Sequence, residues 1–164
     1  MFFVSSRWLS GSALLLLLLV SGCVPFPHTV EIGPEFLGNL RNDGEPVVGA
    51  TILYQVRKIP DDVDCGPSAL STVTDDFGNF SFVTPKDFRL IVLPGDEVFG
   101  WSLCAMYLGD RHLLWRHADF GAVDGPFEIS CDLNTDIHPV RQGLSGNSRC
   151  VIKYCGNEEC REIV

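Results

Sequence analysis

The chain has 164 residues, 46% of them hydrophobic, and a formal net charge of −9, which is enough for one ordinary domain once export signals are set aside. A surface this acidic repels phosphate backbones, so nucleic acid is not expected as a partner, and it gives no electrostatic grip on anionic lipid, so any membrane attachment needs an anchor. No block of like charge, low-complexity stretch or internal repeat interrupts the sequence, and the body is expected to fold rather than remain disordered.

Residues 1–22 have the composition of an export signal. A short start carries the single cation Arg7, and an apolar run follows from Ala13 to Val20, then Ser21 and Gly22. That run fits a signal-peptide core and falls well short of the ~20 residues that span a bilayer. The boundary Val20-Ser21-Gly22-Cys23 resembles the lipobox of bacterial lipoproteins. The resemblance implies that the Cys23 thiol receives a diacylglyceryl group, that cleavage occurs before it, and that two or three acyl chains then anchor the protein stably where one would be marginal. In that family an aspartate directly after the cysteine marks retention in the inner membrane. Val24 stands here, so the expected address is the bacterial cell envelope, on the outer membrane facing the periplasm.

Residues 23–34 read as a lipidated, extended tether, rich in proline (Pro25, Pro27, Pro34) and carrying His28 as a linker histidine. The body, residues 35–133, reads as short strands separated by turn signals. Glu35–Arg41 is the first, closed by Asn42-Asp43-Gly44. Ala50–Val56 follows, with Ile52, Tyr54 and Val56 on one face. The connection from Arg57 to Leu70, which holds Cys65, has surface-loop composition. Ser71–Thr74 and Asn79–Val83 flank the turn Asp75-Asp76-Phe77-Gly78, with Phe80 and Phe82 facing the core. Phe88–Leu93 is apolar on both faces apart from Arg89, as in a buried strand. Val98–Tyr107 puts Phe99, Trp101, Leu103, Ala105 and Tyr107 on one face, and Gly109-Asp110 turns the chain into Arg111–Ala118. Phe127–Leu133 alternates cleanly. Residues 134–164 form a cysteine-rich extension in which Arg149–Cys155 and Glu159–Val164 form a hairpin around Gly156-Asn157-Glu158. The fold class expected is all-β, a seven-stranded Greek-key β-sandwich of transthyretin- or Ig-like kind with a disulfide-stapled C-terminal hairpin.

Seven cysteines become an even six once Cys23 is assigned to lipid: Cys65, Cys104, Cys131, Cys150, Cys155 and Cys160. In an oxidising compartment these are disulfide candidates with 15 possible pairings. One result holds for all of them. Three of the six lie in the body and three in the tail, and three cannot pair among themselves, so full oxidation forces at least one bond between tail and body. A zinc or copper site on Cys150, Cys155 and Cys160 with His112 or His117 is opposed by the spacing. Five residues turn about 500° on a helix, leaving successive thiols some 140° apart, and on a strand they alternate faces.

The run Gly38, then Asp43-Gly44-Glu45-Pro46-Val47-Val48-Gly49-Ala50-Thr51-Ile52, then Thr72-Val73-Thr74-Asp75-Asp76-Phe77-Gly78-Asn79-Phe80-Ser81-Phe82 resembles the carboxypeptidase regulatory-like domain. The likeness covers Phe36 to Val83 and fades beyond it. It implies a transthyretin-like Greek-key sandwich in which Gly44 and Gly78 supply turn conformations, Pro46 restricts entry to the second strand and Ala50 is small where sheets approach. It also implies a non-catalytic role in stability, adhesion or docking, which remains an analogy from fold.

No catalytic constellation is expected. Asp75, Asp76 and Asn79 lack the context of a calcium loop and read as turn residues. His112 and His117, flanking Trp115 and five residues apart, are expected on opposite faces of a surface strand. Gly143-Leu144-Ser145-Gly146 is too short for a nucleophile elbow, and the ending Arg161-Glu162-Ile163-Val164 lacks the Tyr-Arg-Gly-Ser signature of the transthyretin-like 5-hydroxyisourate hydrolases. No cofactor or metal is expected. The leading expectation is a membrane-anchored envelope lipoprotein that binds or scaffolds another envelope protein. Two alternatives are a transthyretin-like lipoprotein component of a secretion machine, as in type VI systems, and a small-ligand carrier or enzyme with a pocket near Trp101, Tyr107 and Trp115. For those aromatics, core filling is the simpler account.

Overall fold

A computed structural model describes residues 25–58, 65–67, 69–91, 98–120, 125–139, 145–155 and 160–162. The signal peptide and Cys23 lie outside them, as do half of the Arg57–Leu70 connection and the C-terminal hairpin turn. The chain divides into two compact units. In the smaller, β1 (Pro25–Glu31) pairs with β7 (Lys86–Ile91) as a two-stranded ribbon.

The larger unit holds two six-stranded sheets. The first contains β2 (Phe36–Asn42), β3 (Glu45–Pro46), β6 (Asn79–Phe82), β10 (Phe127–Asp132), β13 (Cys150–Cys155) and β14 (Cys160–Glu162). The second contains β4 (Thr51–Lys58), β5 (Leu70–Val73), β8 (Val98–Tyr107), β9 (Asp110–Phe120), β11 (His138–Pro139) and β12 (Ser145–Ser148). The described residues contain no α-helix, and the chain is all-β. The first sheet runs β14-β13-β10-β2-β3 with β6 also on β2, and the second runs β11-β12-β9-β8-β4-β5. Within these two sheets the described pairings are antiparallel except β2 with β10, which is parallel. C-terminal residues thus contribute strands to both sheets.

Period-two patterning explains the layering. In the first sheet Phe36, Leu40, Phe80, Phe82, Phe127, Ile129, Cys131 and Ile152 are buried, while Leu37, Ser81, Glu128, Ser130, Val151 and Lys153 are exposed. Ile52, Tyr54, Trp101, Leu103, Ala105 and Trp115 meet them from the second sheet in one core cluster. Phe36 sits at its centre, edge-on to Tyr54 at 4.8 Å and to Trp115 at 5.6 Å. Each large side chain buried this way contributes about 1.5–3 kcal/mol. The Tyr54 hydroxyl donates to the Pro34 carbonyl (3.1 Å), and burial pushes its pKa up.

The two-residue turn Asp43-Gly44, both with positive φ (53° and 82°), has the twist that antiparallel strands require. The Asp132 carboxylate accepts the N–H groups of Asp43 (3.2 Å), Gly44 (2.9 Å) and Asn134 (3.0 Å), tying this turn to the end of β10.

Three disulfides form: Cys65–Cys104, Cys131–Cys150 and Cys155–Cys160. The second bonds tail to body and the third closes the C-terminal β13–β14 hairpin. Cys65 itself is buried, which its loop composition does not convey. The Ser102 hydroxyl lies 3.4 Å from Cys65 Sγ, and the Gly66 N–H donates to Gln55 Oε1 at 2.7 Å. The loop segment around Cys65 therefore covers the outer side of β4 and β8, where Gln55, Ser102 and Cys104 are buried.

Two expectations are corrected. Phe88 and Leu90 are 63% and 61% exposed, so this part of the strand expected to be buried is exposed, while Val92 and Leu93 lie outside the described residues. Apolar composition alone does not place a strand in the core, and among the described residues β7 pairs only with β1. His117, expected on the surface, is 5% exposed. It follows Trp115 at period two on the core-facing side of β9, and a bulge just before Trp115 brings His112 to that same face. Leu103 pairs with Trp115 but Cys104 pairs with Leu113, leaving Leu114 over. That extra residue restores phase, so His112 (opposite Ala105) and His117 (opposite Trp101) share a face instead of opposing each other.

Candidate functional site

The outward positions of the first sheet form the floor of a groove of about 770 Å³. Strand register places Ser81, Leu37, Glu128 and Lys153 in one cross-strand row, and Asn79, Asn39, Ser130 and Val151 in the next. Thr72, Val73 and Asp75, from β5 and the turn that follows it, form one flank.

One end of the groove is fixed by a chain of hydrogen bonds. Arg41 Nε donates to Asn39 Oδ1 (2.9 Å), and Asn39 Nδ2 donates to the Phe77 carbonyl (2.9 Å) and to Asn79 Oδ1 (3.0 Å). Asp75 accepts the N–H groups of Asn79 (2.7 Å) and Phe77 (2.9 Å), and the Asn79 side-chain amide at 3.1 Å. The Asn79 backbone bond, joined by those from Phe77 and the Asn79 amide, holds the Asp75 carboxyl below its usual value against the raising effect of desolvation. These oxygens are engaged by their own hairpin, in keeping with the turn role read from the sequence. Further along, Glu128 and Lys153 stand directly opposite one another.

This lining carries amides, hydroxyls, the charged side chains of Asp75, Glu128 and Lys153, and the exposed apolar side chains Leu37, Val73 and Val151. Such an inventory suits recognition by hydrogen bonding and apolar contact. Beside the groove the second sheet ends at β5, and among the described residues no further strand pairs with that edge. Alternate residues of an edge strand present backbone N–H and C=O groups outward. The β5 sequence Leu-Ser-Thr-Val carries no charge or proline to guard it, and Leu70 and Val73 are 49% and 58% exposed.

The residues singled out from the sequence are dispersed. Cys23 lies outside the described residues. His28 is on β1, half-buried. Trp101 and Trp115 are core residues, edge-on at 5.9 Å, with the His117 ring 4.8 Å from Trp101, and Tyr107 packs against the core. Their indole nitrogens and His117 Nδ1 lack hydrogen-bond partners. Desolvation lowers the His117 pKa, opposed by Asp119 with its carboxylate 3.7 Å from Nε2. The three tail cysteines do not converge: Cys150 is bonded to Cys131, while Cys155 and Cys160 are bonded to each other beside Glu128. The groove was not anticipated from sequence. Its only local signal is the uncharged polar residue at alternate positions, Asn39, Asn79, Ser81 and Ser130. No family model, no curated protein and no solved structure matches the chain.

Proposed function

We propose that the chain is a lipid-anchored envelope lipoprotein, held through Cys23 on the periplasmic face of the outer membrane, whose sandwich is a non-catalytic protein-binding or scaffolding module. Within that reading the core of the fold is a seven-stranded Greek key of the carboxypeptidase regulatory-like kind. Support comes from the glycines that the motif assigns to turns: Gly44 and Gly78 both have positive φ, 82° and 78°. The observation that carries the binding reading is the unguarded β5 edge beside the groove. An extended segment of a partner protein pairs its backbone with β5 and places alternate side chains in the groove, so that backbone bonds give affinity and the lining gives selectivity.

The test is recovery of partners from detergent-solubilised envelopes with the tagged, acylated protein. A reproducible partner is expected with the native chain and is lost in Leu70→Lys/Val73→Lys, which charges the edge without touching the core. Equal recovery with both proteins, or free monomer with both, contradicts the proposal.

A further inference from the structure

We propose that the β1–β7 ribbon is a second membrane contact, in which Phe88 and Leu90 seat in the boundary between lipid headgroups and acyl chains. The proposal rests on acylation of Cys23.

Phe88 and Leu90 are two residues apart on β7 and so project from the same face of the ribbon, both more than 60% exposed. Asp87 and Arg89 take the other face and lie 3.8 Å apart. The ribbon's direction follows from its joined end. Lys86 Nζ meets Glu31 Oε1 at 3.3 Å, and the Ile32 N–H donates to the Pro85 carbonyl at 3.0 Å. The strands therefore run antiparallel from that end, and the Ile91 end of β7 lies beside the Pro25 end of β1.

Chain length then fixes the neighbourhood. Cys23 precedes Pro25 by two residues, and two residues span at most about 7 Å. Leu90 and Phe88 are one and three residues from Ile91, or about 3 and 10 Å along the strand. Apolar faces of interfacial elements sink about 5–10 Å into the headgroup and acyl boundary, so both side chains fall within reach of that layer for an anchor at Cys23. The acidic chain, at −9 overall, has little electrostatic attraction for anionic lipid, which leaves apolar insertion as the means of contact. A two-stranded ribbon is marginal in water, and covering Phe88 and Leu90 with lipid stabilises it. A second copy of the chain is a less fitting occupant, because nothing places another ribbon beside this one, whereas the anchor places lipid there.

The experiment uses the mature acylated protein beginning at Cys23, which lacks Trp8, carrying Phe88→Trp or, separately, Leu90→Trp, with acylation verified by intact mass. It is reconstituted into phosphatidylethanolamine/phosphatidylglycerol vesicles with and without brominated acyl chains. Trp101 and Trp115 are buried in the core, so the native protein supplies the unquenched background. Both variants are expected to lose about half of the added tryptophan emission in brominated vesicles, as befits an indole at the acyl boundary. Acylated, vesicle-bound variants whose emission is unaffected overturn the ribbon contact and leave the anchor standing. Protein without acyl mass that stays off vesicles overturns both. A concentration-dependent blue shift in detergent alone, with no quenching in vesicles, assigns the face to self-association and overturns the lipid contact.

Discussion

Cys131 and Cys150 face each other as cross-strand partners on β10 and β13, with Cα atoms 4.0 Å apart and their sulfurs bonded. This bond ties the C-terminal region to the body, and its energetic weight relative to the other two follows from loop length. The bonded pairs lie 39 (Cys65–Cys104), 19 (Cys131–Cys150) and 5 residues (Cys155–Cys160) apart. Loop-closure entropy then assigns about 4, 3 and 2 kcal/mol respectively. Paired Cys→Ala variants should lose stability in that order in urea denaturation. A larger loss from the Cys155–Cys160 pair than from Cys65–Cys104 contradicts the assignment.

Gly38 and Phe80 are also cross-strand partners, and the Phe80 ring lies where a Cβ on Gly38 would sit. Gly38→Ala should therefore cost about 1–3 kcal/mol through overpacking. Phe80→Leu in the same chain should recover part of the loss, giving clear non-additivity in a double-mutant cycle. Simple additivity contradicts the contact.

His117 gives the fold a pH dependence. Burial against Trp101 and Trp115 lowers its pKa from the ordinary 6.5, so between the folded value and 6.5 the unfolded chain binds more protons than the folded one. Stability rises with pH through that window and is lost as pH falls from 6.5 toward the folded value. Asp75 and Asp132 act lower down. Each is held below 3.8, chiefly by backbone N–H bonds from Asn79 and Asn134 respectively, and their contribution is full above 3.8 and lost as pH falls through their folded values. In His117→Gln the stability difference between neutral and mildly acidic pH should shrink, as measured by denaturant midpoints. An unchanged pH profile contradicts the buried, neutral imidazole.

Leu108 has φ 51° in the tight turn joining β8 and β9, and its side chain is 86% exposed. Left-handed backbone penalises a Cβ, and no apolar burial offsets it here. Leu108→Gly should raise stability by about 1 kcal/mol, read as a higher melting temperature. A lower one would show that the side chain carries a packing role.

Much of the fold was legible because strand chemistry is local. The alternation of Phe127, Ile129 and Cys131 against Glu128 and Ser130 marks β10 within a residue of its observed bounds, and Asp43-Gly44 marks its turn. Cysteine parity required a tail-to-body bond, but choosing Cys131–Cys150 needs the β10–β13 register, which no local pattern encodes. His117 follows Trp115 at period two onto the core face, and His112 joins it there because Leu114 adds one residue to β9 and shifts the phase. Phe88 and Leu90 were misread because hydrophobicity alone does not say whether a layer covers them. The groove was invisible for a related reason. Its floor joins Asn39 to Ser130 through a parallel pairing of strands far apart in sequence, so its neighbours exist only once the sheet has formed.

The proposed anchor and the disulfide framework both rest on the chemical state of the seven cysteines, and intact mass spectrometry of the protein isolated from its own envelope reads that state directly. The expected mass is that of a chain beginning at Cys23, with a diacylglyceryl group and further acylation, and with six other cysteines that do not react with alkylating agent until reductant is added. A chain without lipid whose thiols alkylate freely in the native state contradicts both the anchor and the three disulfides.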